Sequence, residues 1–278
     1  TPSLFDKPHR VSYSPRIYQE ANMKSKPAGC LLLSLAVFLS VSINAQTKAG
    51  KTAPVAIAHI IEIPGNPLVS SDIAWVDPGT KRFYLADRSN FGIDIVDAVK
   101  DVFVGRVTGF VGPAAMTPPP PNGQGPNGVL VTPNKKAWAG DGNSLVQVAD
   151  VDPKSPTYLK IVQTVSTALP ECGSHCDRAD EIAYDPEDHI IVIANNQPTT
   201  TTPPFTRANP YATFISADTY KVLGHITFGG ATGLEQSAWI PKLHRFTISV
   251  SAYSNNGGTN NGFAEIAVMD PKTIKVTN

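Results

Sequence analysis

Short apolar stretches recur along the chain at a nearly constant spacing. Four segments align without gaps: DIAWVDP from Asp72, NGVLVTP from Asn127, DEIAYDP from Asp180 and EQSAWIP from Glu235. Their prolines, Pro78, Pro133, Pro186 and Pro241, stand 55, 53 and 55 positions apart. Behind each proline come a second run (RFYLAD, KAWAGD, HIIVIAN, HRFTISV) and a third (GIDIVDA, LVQVADV, ATFISAD, AEIAVMD), and three units show a full fourth (FVGRVTGF, LKIVQTV, VLGHITF). The runs are rich in Val, Ile, Thr, Phe and Tyr and are bounded by Gly, Pro, Asn and Asp, the composition of strands joined by tight turns. No window after residue 45 sustains a helical period. The pattern predicts an all-β fold, and a four-strand unit repeated at this length predicts a β-propeller of four-stranded antiparallel blades. A β-sandwich has no reason to repeat four strands around a fixed proline.

The run from Ala58 to Ile63 reads as a further outermost strand ahead of the first unit. At the other end, DPKTIKVTN from Asp270 matches DTYKVLGHI from Asp218 and stops where an outer strand begins. The expectation is a propeller domain over 55–278 that holds four blades of a wheel of six or seven. Ahead of it, 23–45 reads as a secretory signal: Lys24 and Lys26 precede the uncharged run Leu31 to Ile43, and Ala45 offers a small residue for cleavage. The run is shorter than the roughly 20 residues of a spanning helix, so no membrane span is expected after cleavage. Residues 1–22 show no periodicity and read as a non-structural extension, and 46–54 as a linker. A secreted or periplasmic location follows from this reading.

Export brings an oxidising compartment, in which Cys172 and Cys176 of ECGSHC suit a small disulfide-closed loop. A metal site from Cys172, His175 and Cys176 is the alternative there, without an evident fourth ligand. The whole chain has 23 basic and 23 acidic residues. Beyond residue 45 these become 18 and 21, which leaves no basic footprint for a nucleic acid. There is no GxSxG elbow for a serine hydrolase and no Gly-rich phosphate loop.

Strand order in such a blade places the start of the first strand and the end of the second on one rim, here the upper face. The long connections fall on that rim: Val111 to Pro126, Ser166 to Ala179, Asn196 to Tyr211 and Tyr253 to Phe263. Loops on a rigid scaffold are where binding and catalysis concentrate. The innermost strands open with Asp72, Asn127, Asp180 and Glu235, which directs them toward the upper mouth of the central channel. Asp87, Asp141 and Asn195, at intervals of 54, close the second strands and form an outer polar ring. Three carboxylates about 6 Å apart repel by roughly 3 kcal/mol per pair at an effective dielectric near 20. Such a ring must stay hydrated, take up a proton or hold a cation. Oxygen ligands with an amide among them suit calcium, magnesium or manganese. The alternative is that these residues serve as turn formers or line a wet channel.

At these positions the chain resembles the senescence-marker-protein/gluconolactonase family of propellers and, more loosely, YVTN-type repeat proteins. Glu235-Gln236-Ser237-Ala238-Trp239 is similar to an EGPxW motif, Pro126-Asn127-Gly128 through Pro133 to PNGxxxxP, and Ala179-Asp180-Glu181 in part to a PDG strand start. Gln236 and Glu181 stand where that family has glycine. The resemblance implies that Asn127, Asp180 and Glu235 hold a divalent cation, with Asp72 as an extra ligand or acid/base group. It implies a metal-dependent hydrolase of a lactone or similar small ester, with the cation as Lewis acid and Asp72, Asp87 or Asp141 as general base. The competing expectation is a non-catalytic propeller that recognises a partner, a glycan or a cell-surface component through its upper loops.

Overall fold

A computed structural model of the protein describes residues 59–112, 124–170, 178–196, 209–251 and 264–277. The leader-like segment, Cys172, Cys176 and the central parts of the four long upper connections lie outside the described residues. Sixteen strands are described, in four antiparallel sheets. The first sheet comprises β1 (Ser71–Asp77), β2 (Arg82–Asp87), β3 (Gly92–Asp97) and β4 (Val102–Thr108). The second comprises β5 (Val129–Val131), β6 (Lys136–Asp141), β7 (Leu145–Asp150) and β8 (Lys160–Ser166). The third is built from β9 (Arg178–Asp185), β10 (Ile190–Asn196), β11 (Tyr211–Ser216) and β12 (Val222–Thr227). The fourth holds β13 (Leu234–Ile240), β14 (Arg245–Val250), β15 (Glu265–Asp270) and β16 (Lys275–Thr277). Strands neighbour one another in chain order within every sheet, which is the meander of a propeller blade.

One expectation is corrected. Residues His59 to Ile63 form no strand. The outer position of the last blade, which such a strand would complete, is filled by β16, paired with β15 from Val268↔Thr277 to Asp270↔Lys275, so each blade takes its four strands from one continuous stretch.

The repeat extends to the backbone of the turns. Lys81, Lys135, His189 and His244 occupy one position in the four turns between first and second strands, with φ of 56°, 58°, 53° and 49°. Asp101, Leu159, Tyr220 and Ile274 do the same between third and fourth strands, at 53°, 63°, 60° and 51°. Left-handed backbone at non-glycine residues is uncommon, and its recurrence at matched positions shows that the turn type is set by the blade rather than by any one residue.

Each blade buries one face against the next. Tyr84, Ile93 and Ile95 of the first pack on Val129, Ala137 and Ala149 of the second. Trp138, Val146 and Val148 continue onto Ile191, Ile193 and Ile215. Val192, Ala212 and Phe214 complete the series against Phe246, Ile248 and Met269. Inner strands of interior blades are therefore covered on both sides, which is why β10 is buried throughout and its stretch Ile190 to Ala194 reads as an unbroken apolar run. Each such Val, Ile or Phe contributes about 1.5–3 kcal/mol.

Candidate functional site: the upper mouth of the channel

Asp72 lies near the start of β1, Asn127 just ahead of β5, Asp180 in β9 and Glu235 in β13, so the four sit at matched places on successive inner strands. Two of them, Asp72 and Asn127, are joined by a side chain outside that set. Arg88 lies in a short 3-10 helix, Arg88–Asn90, immediately after β2. Its guanidinium pairs with the Asp72 carboxylate. The same group donates to the Asn127 side-chain oxygen from Nε at 3.2 Å and from Nη2 at 2.7 Å. The Asn127 amide in turn donates to the Ala179 carbonyl at 2.7 Å.

A second set continues into the last two blades. Arg178 Nη2 and Asn196 Nδ2 both donate to Asp180 Oδ2, at 2.5 and 2.7 Å. Asn196 Oδ1 accepts the Leu234 backbone N–H at 2.6 Å. Arg88 and Asn196 follow the equivalent second-strand ends Asp87 and Asn195, and both reach the opening of the next blade's first strand. This position is thus an inter-blade tie. In the second blade it is Gly142, which has no side chain to reach with.

The mouth carries four carboxyl groups, Asp72, Asp180, Glu181 and Glu235, against two guanidinium groups. Glu181 is 6% exposed, and no hydrogen bond to its carboxyl is formed among the described residues. Burial, and then the neighbouring Asp180, Asp72 and Glu235, push its carboxyl up to about 8. Burial likewise raises Asp72, against the pull of Arg88, and raises Glu235, which Asp180 pushes further. The buried Arg178 Nε has no hydrogen-bond partner among the described residues. Beside the Asp72–Arg88 and Asp180–Arg178 pairs there are two acids without an ion pair among the described residues, Glu181 and Glu235, both shifted toward the protonated form, and one unused guanidinium donor.

The donor set meets a guanidinium in the place where the sequence reading puts a divalent ion. Asn127 Oδ1 accepts two N–H groups of Arg88, and Asp72 is held by the same group. Among the described residues no three His, Cys, Asp or Glu side chains are grouped as metal ligands.

Asp87 and Asp141 are placed elsewhere. Both are buried, at 0% and 1% exposure, inside their own blades. Asp87 accepts from Arg106 Nη2 at 3.3 Å, and Arg106 Nε donates to Asp94 at 2.5 Å. Asp141 accepts from the Val111 and Gly142 backbone at 3.2 and 2.9 Å and from Gln147 at 3.3 Å, and Gln147 accepts from Thr164 at 2.7 Å. In the third blade Asn195 accepts from Thr213 at 2.7 Å, with His225 Nδ1 3.0 Å from the Thr213 hydroxyl. The outer polar ring of the sequence reading is therefore three copies of one relay, linking the second, third and fourth strands within a blade. A carboxylate so placed holds strands together.

Sequence reasoning missed Arg88, Arg178 and Glu181. Two signals pointed to them: Arg88 follows a ring position by one residue, and Glu181 replaces a motif glycine.

No known protein-family description matches the sequence, and no curated protein matches it. Among solved structures the fold is similar to a chain of Kuenenia stuttgartiensis hydrazine synthase, with a TM-score of 0.52 and 13% identity. The match covers 73% of this chain and 51% of that one, so this chain spans about half the length of its structural neighbour. At that identity the likeness concerns the fold alone.

Proposed function

We propose that the chain is a binding propeller, exported by its leader-like segment, whose channel mouth recognises a small molecule or an extracellular partner without catalysis. The observation that carries this is Arg88 between Asp72 and Asn127. A guanidinium already neutralises Asp72 and occupies the Asn127 oxygen, two of the four groups from which a hydrolase would draw its metal ligands. The unpaired Arg178 Nε and the protonated Glu181 remain as donors that a ligand oxygen can meet.

A second reading, a metal-dependent lactonase, has one observation in its favour. Four carboxyl groups against two guanidinium groups leave an excess of acid that a calcium, magnesium or manganese ion would offset. Asp72, Asn127, Asp180 and Glu235 would hold it after Arg88 withdrew, and the ion would act as Lewis acid on a lactone carbonyl.

One experiment separates the two. The full chain is loaded with calcium or manganese, desalted, measured for metal content and assayed on simple γ- and δ-lactones. The binding reading expects no stoichiometric ion and no hydrolysis above background. An ion retained at one per chain and lost in Asn127→Ala, together with turnover, would replace it with the lactonase reading.

A further inference from the structure

The rim opposite the long loops contains a cavity of about 530 Å³. It is framed by the far ends of three successive inner strands, with Trp75 from β1, Thr132 just after β5 and Tyr184 from β9. The adjoining turns supply Asp77, Thr80 and Lys135. The volume is ordinary for a small-molecule site, as is a largely apolar wall with a few polar groups on it.

The polar groups are held in place before any ligand arrives. Asp77 accepts the Gly79 and Thr80 backbone N–H groups at 3.1 and 3.2 Å and also the Thr80 hydroxyl. Lys135 is fixed by Asp152 at 3.1 Å, and the Thr132 hydroxyl donates to Asn134 at 2.7 Å. The Tyr184 ring stacks on His189, with centroids 6.4 Å apart and planes inclined by 28°. Trp75 is 38% exposed. Neither the Trp75 indole N–H nor the Tyr184 hydroxyl forms a hydrogen bond among the described residues.

Three features narrow the ligand. The wall carries one ammonium, which Asp152 already pairs, and one carboxylate, whose oxygens are taken up by the Gly79 and Thr80 donors of its own turn. Two aromatic rings with polar tips offer flat apolar surface to a ligand whose faces are C–H and whose edges are polar. The Thr80 and Thr132 hydroxyls, whose protons go to Asp77 and Asn134, are left to accept, and the Lys135 ammonium and the Tyr184 hydroxyl can donate. We infer that this lower mouth binds a neutral saccharide, with pyranose C–H faces against Trp75 and Tyr184 and ring hydroxyls on Thr80, Thr132 and Lys135.

The site lies away from the Arg88 cluster, and its test is independent of the channel-mouth reading. Full-length protein is titrated with cellobiose, with maltose and, as a cationic control, with choline. Binding is read by calorimetry and by the indole N–H resonances, of which there are three. Those of Trp138 and Trp239 belong to buried nitrogens. The expected result is binding of at least one disaccharide, with the Trp75 resonance shifting most. Trp75→Ala and Tyr184→Ala each weaken that binding by about tenfold or more, equal to about 1.4 kcal/mol. Gln163→Ala on the exposed outer strand β8 leaves it unchanged. The resonance shift in unmodified protein serves where a variant fails to fold. Absence of binding by both sugars at about 20 mM, far above typical ligand affinities, overturns the proposal. So do choline binding in their place, a shift that spares Trp75, or unaltered affinity in folded Trp75→Ala and Tyr184→Ala.

Discussion

Gly128 and Gly140 show how a motif can carry packing rather than chemistry. A Cβ at Gly140 would lie 2.6 Å from the carbonyl oxygens of both Ala179 and Asp180, and one at Gly128 would run into the Asp180 carbonyl. The Gly128 N–H donates to that same carbonyl at 3.0 Å. The glycine after Asn127 is therefore required because the third blade's first strand presses against the second blade. That need exists whether or not Asn127 binds anything. Gly140→Ala is expected to destabilise the protein by about 1–3 kcal/mol, the range for overpacking a site whose neighbours are backbone. Chemical denaturation measures this, and an unchanged midpoint would show that the blades can separate freely at that point.

Between elements, the polar contacts fall into two sets with different jobs. The relays Asp87–Arg106–Asp94, Asp141–Gln147–Thr164 and Asn195–Thr213–His225 tie strands within a blade. Arg88 and Asn196 tie one blade to the next. Arg88→Met keeps the length of the side chain but strands the Asp72 carboxylate and the Asn127 oxygen, and is expected to cost about 2–3 kcal/mol. Adding Asp72→Asn should restore part of that loss, because the stranded charge disappears with its partner. A double-mutant cycle by urea denaturation tests this, and strictly additive effects would show that the pair is not coupled.

Taken over the fold, buried acids make stability depend on pH in a defined direction. Burial lifts Asp94 and Asp141 each to about 6, in Asp94 with help from Asp87 and against Arg106, and in Asp141 against its backbone and Gln147 donors. Glu181 stands at about 8. Each is raised above its unfolded value, so its contribution is complete below about pH 4 and is lost as the pH climbs through about 6 and then about 8. Asp150 runs the other way: burial opposes ionisation, but donors from Ser155, Thr157, Asp152 and Lys136 hold it well below the usual range, and its contribution is lost progressively as the pH falls below about 4. The urea midpoint should therefore be higher at pH 5 than at pH 9. Glu181→Gln, which mimics the protonated acid, should narrow that gap mainly between about pH 5 and 8. A midpoint that rises toward pH 9 in the parent protein would contradict this assignment.

The periodic apolar runs and their prolines were enough to determine blades and strand order, because strands buried on both faces leave apolar runs at fixed intervals. The same spacing identified Asp72, Asn127, Asp180 and Glu235 as counterparts, since matched positions in a repeat share a place. It did not reveal what those oxygens face. Arg88 reaches Asn127 from 39 positions away, and whether Asp87 points at the channel or into its own blade depends on a side-chain direction that no spacing encodes. Charge compensation is settled by which groups folding brings within a few ångströms, and only the assembled tertiary structure shows that guanidinium groups stand among the acids.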